Sequence, residues 1–227
     1  CNSQQGDFSR VAFAYEAPPG PAQPHLGAML QTSCSSPVAT VVATNADPGC
    51  SACRATLTWS PSVDLAPEWE VVRRYSKEVL GVDQEKEKAF FSEFRAEDLQ
   101  EVIDTQEAVI AYMRKNKQKS ARPNILLVFD DLADPPEFMR REKLLRRLFI
   151  RGRWASISTL VNTQMWRALA PECRKQATVV YCFRLRNQGD LNGLVEELAA
   201  VHPKGKKGVL EPYRRATSNP VSYTHLT

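Results

Sequence analysis

Ile125-Leu126-Leu127-Val128-Phe129 is an unbroken apolar run that stops at Asp130-Asp131. Five residues are too few for an ordinary helix, and the run lacks the alternation of a half-exposed strand. Both features fit a parallel strand covered on both faces. In an open α/β sheet the ligand sits beyond the carboxyl ends of the strands, so the acidic pair is aimed at that crevice. Two carboxylates there suit Mg²⁺, a hard cation held through oxygen, with Asp130 serving the metal and Asp131 orienting a water. The plainer alternative is a pair of aspartates that opens a loop and caps the next helix.

Upstream, Leu99, Val102, Ile103, Gln106, Val109, Ile110 and Met113 keep a 3.6-residue period. They predict a helix whose carboxyl end is complemented by Arg114, Lys115, Lys117 and Lys119 and which Pro123 prevents from continuing. Downstream, Asp134 as N-cap, Pro135 at the first helical position and Glu137 three residues after the cap signal a second helix. Leu144, Leu145, Leu148 and Phe149 form its apolar side. Arg140, Lys143, Arg147 and Arg151 line the other, as a nucleic-acid or subunit-interface candidate or simply a solvated face.

A further strand over 157–161 leads into Asn162-Thr163-Gln164. If it neighbours the first, Thr163 and Gln164 lie where a polar group can reach a phosphate or a water. A short helix over 171–176, a strand over 178–183 and a last helix over 190–201 capped by Asp190 complete the pattern. Alternating helices and strands imply an α/β fold, a parallel sheet with helices on both faces. The core is expected over 68–212, opening with a helix over 68–80. Residues 1–67 hold eight of the fifteen prolines, so this segment is expected to be largely irregular apart from short strands at 38–43 and 55–59. Residues 213–227 are expected to form a tail, with 220–227 resembling a translated adaptor. A start at Cys1 instead of Met suggests a missing N-terminus.

The bulk numbers bound the rest. The 227 residues suffice for one α/β domain, and no apolar run approaches the roughly 18 residues of a membrane span. A net charge of +4 is too small to argue for nucleic acid by itself. Six irregularly spaced cysteines make no disulfide scaffold, which points to a reducing, intracellular setting. Cys34, Cys50 and Cys53 with His25 offer a weak zinc set.

Taken in order, the helix bearing Gln106, the 125–131 motif, Arg151-Gly152-Arg153, the strand ending in Gln164 and the 171–175 segment resemble the poxvirus-type, giant-virus and Polinton-type DNA-packaging ATPases. These belong to the FtsK/HerA branch of the P-loop ATPases. The resemblance implies ATP and Mg²⁺ as cofactors, double-stranded DNA as partner and a homo-oligomeric ring. It makes Asp130 and Asp131 the Walker B acids, Gln164 the polar sensor, Thr163 a nucleotide contact, and Arg151 or Arg153 an arginine finger acting across a subunit boundary. The family also needs a loop of the form G-x-x-x-x-G-K-[ST] to cradle phosphates. None occurs here; 44–51 has Thr44 for the first glycine and Cys50 for the lysine. The chain is therefore expected to be an incomplete or inactive packaging ATPase, or a non-catalytic relative that binds DNA or assembles. Asp130 and Gln164 should lie close together, and one of the paired carboxylates should have a raised pKa.

Overall fold

A computed structural model describes residues 11–13, 40–44, 53–83, 87–117, 123–132, 143–200 and 202–217. The elements in chain order are β1 (Val11–Phe13), β2 (Thr40–Thr44), β3 (Cys53–Trp59), α1 (Glu68–Glu78), β4 (Phe90–Phe91), α2 (Ala96–Lys115), β5 (Asn124–Asp130), α3 (Lys143–Arg151), β6 (Ile157–Thr163), α4 (Pro171–Lys175), β7 (Val179–Cys182), α5 (Gln188–Ala199) and α6 (Gly205–Ala216). Short 3-10 turns occupy Gly152–Ala155 and Trp166–Ala168.

The strands form one seven-stranded sheet in the order β1-β7-β2-β6-β5-β3-β4. β4, β3, β5 and β6 are a continuous parallel block, and the α/β class is as expected. β2 departs from the parallel pattern, lying antiparallel to both β6 and β7. Because β3 belongs to the central block, the packed sheet reaches further toward the N-terminus than residue 68.

β5 is buried on both faces for the reason its sequence suggests. Leu127 and Phe129 enter one core with Trp59, Leu145, Leu148 and Ile157. Leu126 and Val128 enter the other with Trp69, Val72 and Leu160. α1 covers the second face through Trp69 and Val72, while α2 and α3 cover the first through Leu99, Ile103, Leu145 and Leu148. Trp59 is sandwiched between the rings of Phe91 and Phe129, with centroids 4.7 and 5.1 Å away. These contacts anchor the β3–β5 pair beneath the acidic residues.

Two local expectations need correction, and a third falls outside the described residues. Asp190 does not cap the helix of 190–201; that helix starts earlier, with the Asn187 side chain accepting the Gly189 N–H at 2.7 Å. Asp190 is buried and instead accepts the Arg167 N–H. Nor is that helix the last. α6 forms despite two glycines and Pro212, because Val209 and Tyr213 are buried and the Tyr213 hydroxyl accepts the Leu185 N–H at 2.7 Å. The cap signal at Asp134, Pro135 and Glu137 lies outside the described residues, which resume at Lys143.

Candidate active site

β5 and β6 are adjacent and parallel, with Phe129 opposite Val161 and Asp130 opposite Asn162. Both strands therefore end on the same edge, and the chain delivers Asp130, Asp131, Thr163 and Gln164 to one crevice. Asp130 is only 3% exposed. Its Oδ2 accepts the Ser60 hydroxyl at 2.8 Å, and its Oδ1 accepts the Asn162 amide N–H at 2.5 Å. Ser60 lies within 3.0 Å of Ser62, which in turn accepts the Trp69 indole N–H, so the carboxylate ends a polar chain running back to α1.

Asp131 has a different setting. Its φ of +48° is left-handed, a conformation that aspartate tolerates better than most residues. Its N–H donates to the Asn162 carbonyl as the last rung beside the ladder. The Gln164 amide nitrogen donates to both Asp131 oxygens, at 3.1 and 3.2 Å. Gln164 thus meets Asp131 directly, while Asp130 sits one step deeper against Asn162. The Thr163 hydroxyl is turned into its own loop, donating to the Met165 carbonyl and accepting the Met165 N–H.

Burial is the main reason the Asp130 carboxyl is raised from 3.8 to about 6. The Ser60 and Asn162 hydrogen bonds pull it back, and the adjacent Asp131 charge pushes it up again. The expected raised carboxylate is therefore the deeper of the pair. A divalent cation would relieve both the desolvation and the repulsion. The oxygen-only donors and the two neighbouring carboxylates fit Mg²⁺, which is ordinarily held by one or two carboxylates together with water and substrate phosphate. Among the described residues no group of three or more His, Cys, Asp or Glu side chains forms a dedicated metal cage. His25, Cys34 and Cys50 lie outside the described residues, as does the Cys53 side chain.

The phosphate-cradle half does not fit. β2 pairs Thr40 with Thr163 and Thr44 with Thr159, so it runs away from the acidic crevice and ends toward the opposite edge. The 44–51 string that partly imitates a phosphate loop thus follows a strand pointing the wrong way for that role. Residues 45–52 lie outside the described residues.

The arginines are also apart from the acids. Arg151 and Arg153 precede β6, whereas Gln164 follows it, a separation of about 20 Å at roughly 3.3 Å per strand residue. Within one chain they do not converge on Asp131. Arg147, expected on an open basic face, is ion-paired with Glu107 at 2.7 Å. Lys143 is exposed at the start of α3, and Arg140 lies outside the described residues.

Ser60 and Asn162 are the site residues not assigned from sequence. Parallel register was the missing information for Asn162, since aligning the two strand ends puts it opposite Asp130. Ser60 needed β3 to be placed beside β5.

A family model described as Poxvirus A32 protein matches residues 94–207, half of the chain. No curated protein and no solved structure matches it. No described helix is long and apolar enough to cross a membrane.

Proposed function

Because the chain belongs to the Poxvirus A32 protein family, we propose that it carries the metal-and-water half of a viral DNA-packaging ATPase of the FtsK/HerA branch of P-loop ATPases. The observation behind this reading is the convergence of Asp130, Asp131 and Gln164 at the carboxyl ends of two adjacent parallel strands. Asp130, raised by burial yet mostly ionised at neutral pH, is the metal-facing carboxylate. Asp131, oriented by Gln164, is the carboxylate that positions a water and takes up its proton. When bound, Mg²⁺ would supply charge neutralisation at the Asp130–Asp131 corner.

The chemistry stops short of a complete site. The 227 residues contain no lysine-bearing glycine loop, so no step through bound nucleotide is assigned to this chain alone. In a ring of copies, Arg151 or Arg153 has one route to the chemistry, which is from a neighbouring subunit. A second reading is that the chain assembles with active subunits or binds DNA without hydrolysing ATP.

Phosphate release and filter binding separate these readings. The isolated chain with ATP, Mg²⁺ and duplex DNA should release phosphate at background and should retain the duplex at low salt. Steady release abolished by Asp130→Asn would show that the site is complete after all. No retention of duplex at low salt would overturn the packaging reading.

A further inference from the structure

Two acid-free stretches of the sequence meet at the amino edge of the sheet. No Asp or Glu lies between Glu107 and Asp130, and none lies between Glu142 and Glu172. The first stretch carries Arg114, Lys115 and Lys117 where α2 ends; the second carries Arg151 and Arg153 just before β6. All five are exposed.

The fold ties two of these cations to one residue, Trp154. The Arg114 guanidinium donates to the Trp154 carbonyl at 2.6 Å, and that of Arg153 lies 5.3 Å from the Trp154 ring centroid. Trp154 itself is 62% exposed. Buried Gln106 fixes the arrangement, its amide nitrogen donating to the Ala155 carbonyl at 3.0 Å and to the Pro123 carbonyl at 2.7 Å. Glu107, the acid on the α2 turn facing α3, is neutralised by Arg147.

Helix-dipole complementarity accounts for part of this and no more. Cations in a last turn gain about 0.3–1 kcal/mol each, which covers Arg114 and Lys115 at the end of α2 and Arg151 at the end of α3. Lys117 lies past the end of α2 in a left-handed conformation, and Arg153 lies on the 3-10 turn beyond α3. An exposed ring beside guanidinium groups offers a polyanion apolar contact as well as charge.

We propose that this amino edge is a docking surface for the sugar-phosphate backbone of duplex DNA, with Trp154 pressed against it. The inference rests on the DNA reading above and adds its location. A polyanion is drawn to this edge and repelled from the acidic crevice about 20 Å away along β5 and β6.

Tryptophan emission gives the test. Trp59, Trp69 and Trp166 are 0, 4 and 2% exposed, so acrylamide-quenchable emission comes from Trp154, as a Trp154→Phe control should verify. Saturating duplex at low salt should shield that emission. A Lys115→Gln/Lys117→Gln double variant, which leaves Arg151 and Arg153 intact, should lower the salt slope of binding by about two. Duplex that binds with Trp154 still fully quenchable, or with an unchanged slope, overturns the surface and leaves the DNA reading standing. Stronger binding to single strands overturns the duplex assignment. No binding to any duplex at low salt defeats the DNA reading itself.

Discussion

Replacing Asp130 by Asn should stabilise the fold at alkaline pH and not at acid pH. The carboxyl is raised from 3.8 to about 6, so the folded state favours its protonated form. A group raised in this way contributes stability that is fully present below its unfolded value and is lost as pH rises through about 6. The shift of roughly two pKa units corresponds to about 3 kcal/mol, at about 1.4 kcal/mol per unit. The amide introduced by Asp130→Asn cannot mimic both carboxylate oxygens. It can still accept from Ser60, but its NH₂ faces Asn162 and costs about 1 kcal/mol until the Asn162 amide turns over. Asp130→Asn should therefore be about 2 kcal/mol more stable than wild type at pH 8 and about 0.5 kcal/mol less stable near pH 4, where part of the linkage has already been lost. Urea denaturation of both proteins across this range, followed by circular dichroism, reads the difference directly and cancels groups common to both. An equal loss of stability at pH 4 and pH 8 would refute the reasoning, because it would mean that folding does not raise the Asp130 pKa. Gain of stability on losing a functional carboxylate is the usual mark of a site maintained at a cost to the fold.

Other perturbations test the scaffold. Gln106→Leu should cost about 2 kcal/mol in urea denaturation, since the Pro123 and Ala155 carbonyls lose their shared donor; a loss under about 0.5 kcal/mol would mean that water replaces it. Trp59→Ala should cost about 3–5 kcal/mol by removing the ring between Phe91 and Phe129 beneath the acidic corner, measured by the same assay. Arg174→Met should cost about 2 kcal/mol, because it strips Glu197 and the Leu169 carbonyl of a mostly buried guanidinium; salt should do little to erase the effect.

Much of the site was legible because its strands announce themselves. An apolar run without alternation, closed by two acids, marks a doubly covered strand, and the strand over 157–161 brings Gln164 nearby once the two are neighbours. Pairing required the fold. Ser60 and Asn162 are ordinary polar residues until register sets them against Asp130, and Arg147 reads as an open cation until α2 brings Glu107 to it. Likewise, Arg114 to Lys117 suggest only dipole complementarity until α2 ends beside Trp154. The helix at Gly205–Ala216 was hidden for another reason: its glycines and Pro212 oppose helix locally, and burial of Val209 and Tyr213 overrides them.

Mn²⁺, a paramagnetic substitute for Mg²⁺, can locate the metal corner without nucleotide. In amide-resolved NMR spectra of the full chain, sub-stoichiometric Mn²⁺ should broaden Asp130, Asp131, Leu132, Thr163 and Gln164 first, and Asp130→Asn should abolish that pattern. Glu97, Glu101 and Asp104 along α2 line a separate open acidic groove and form the internal comparison. Broadening centred on those three, or unchanged by Asp130→Asn, would contradict a metal-binding corner at the ends of β5 and β6.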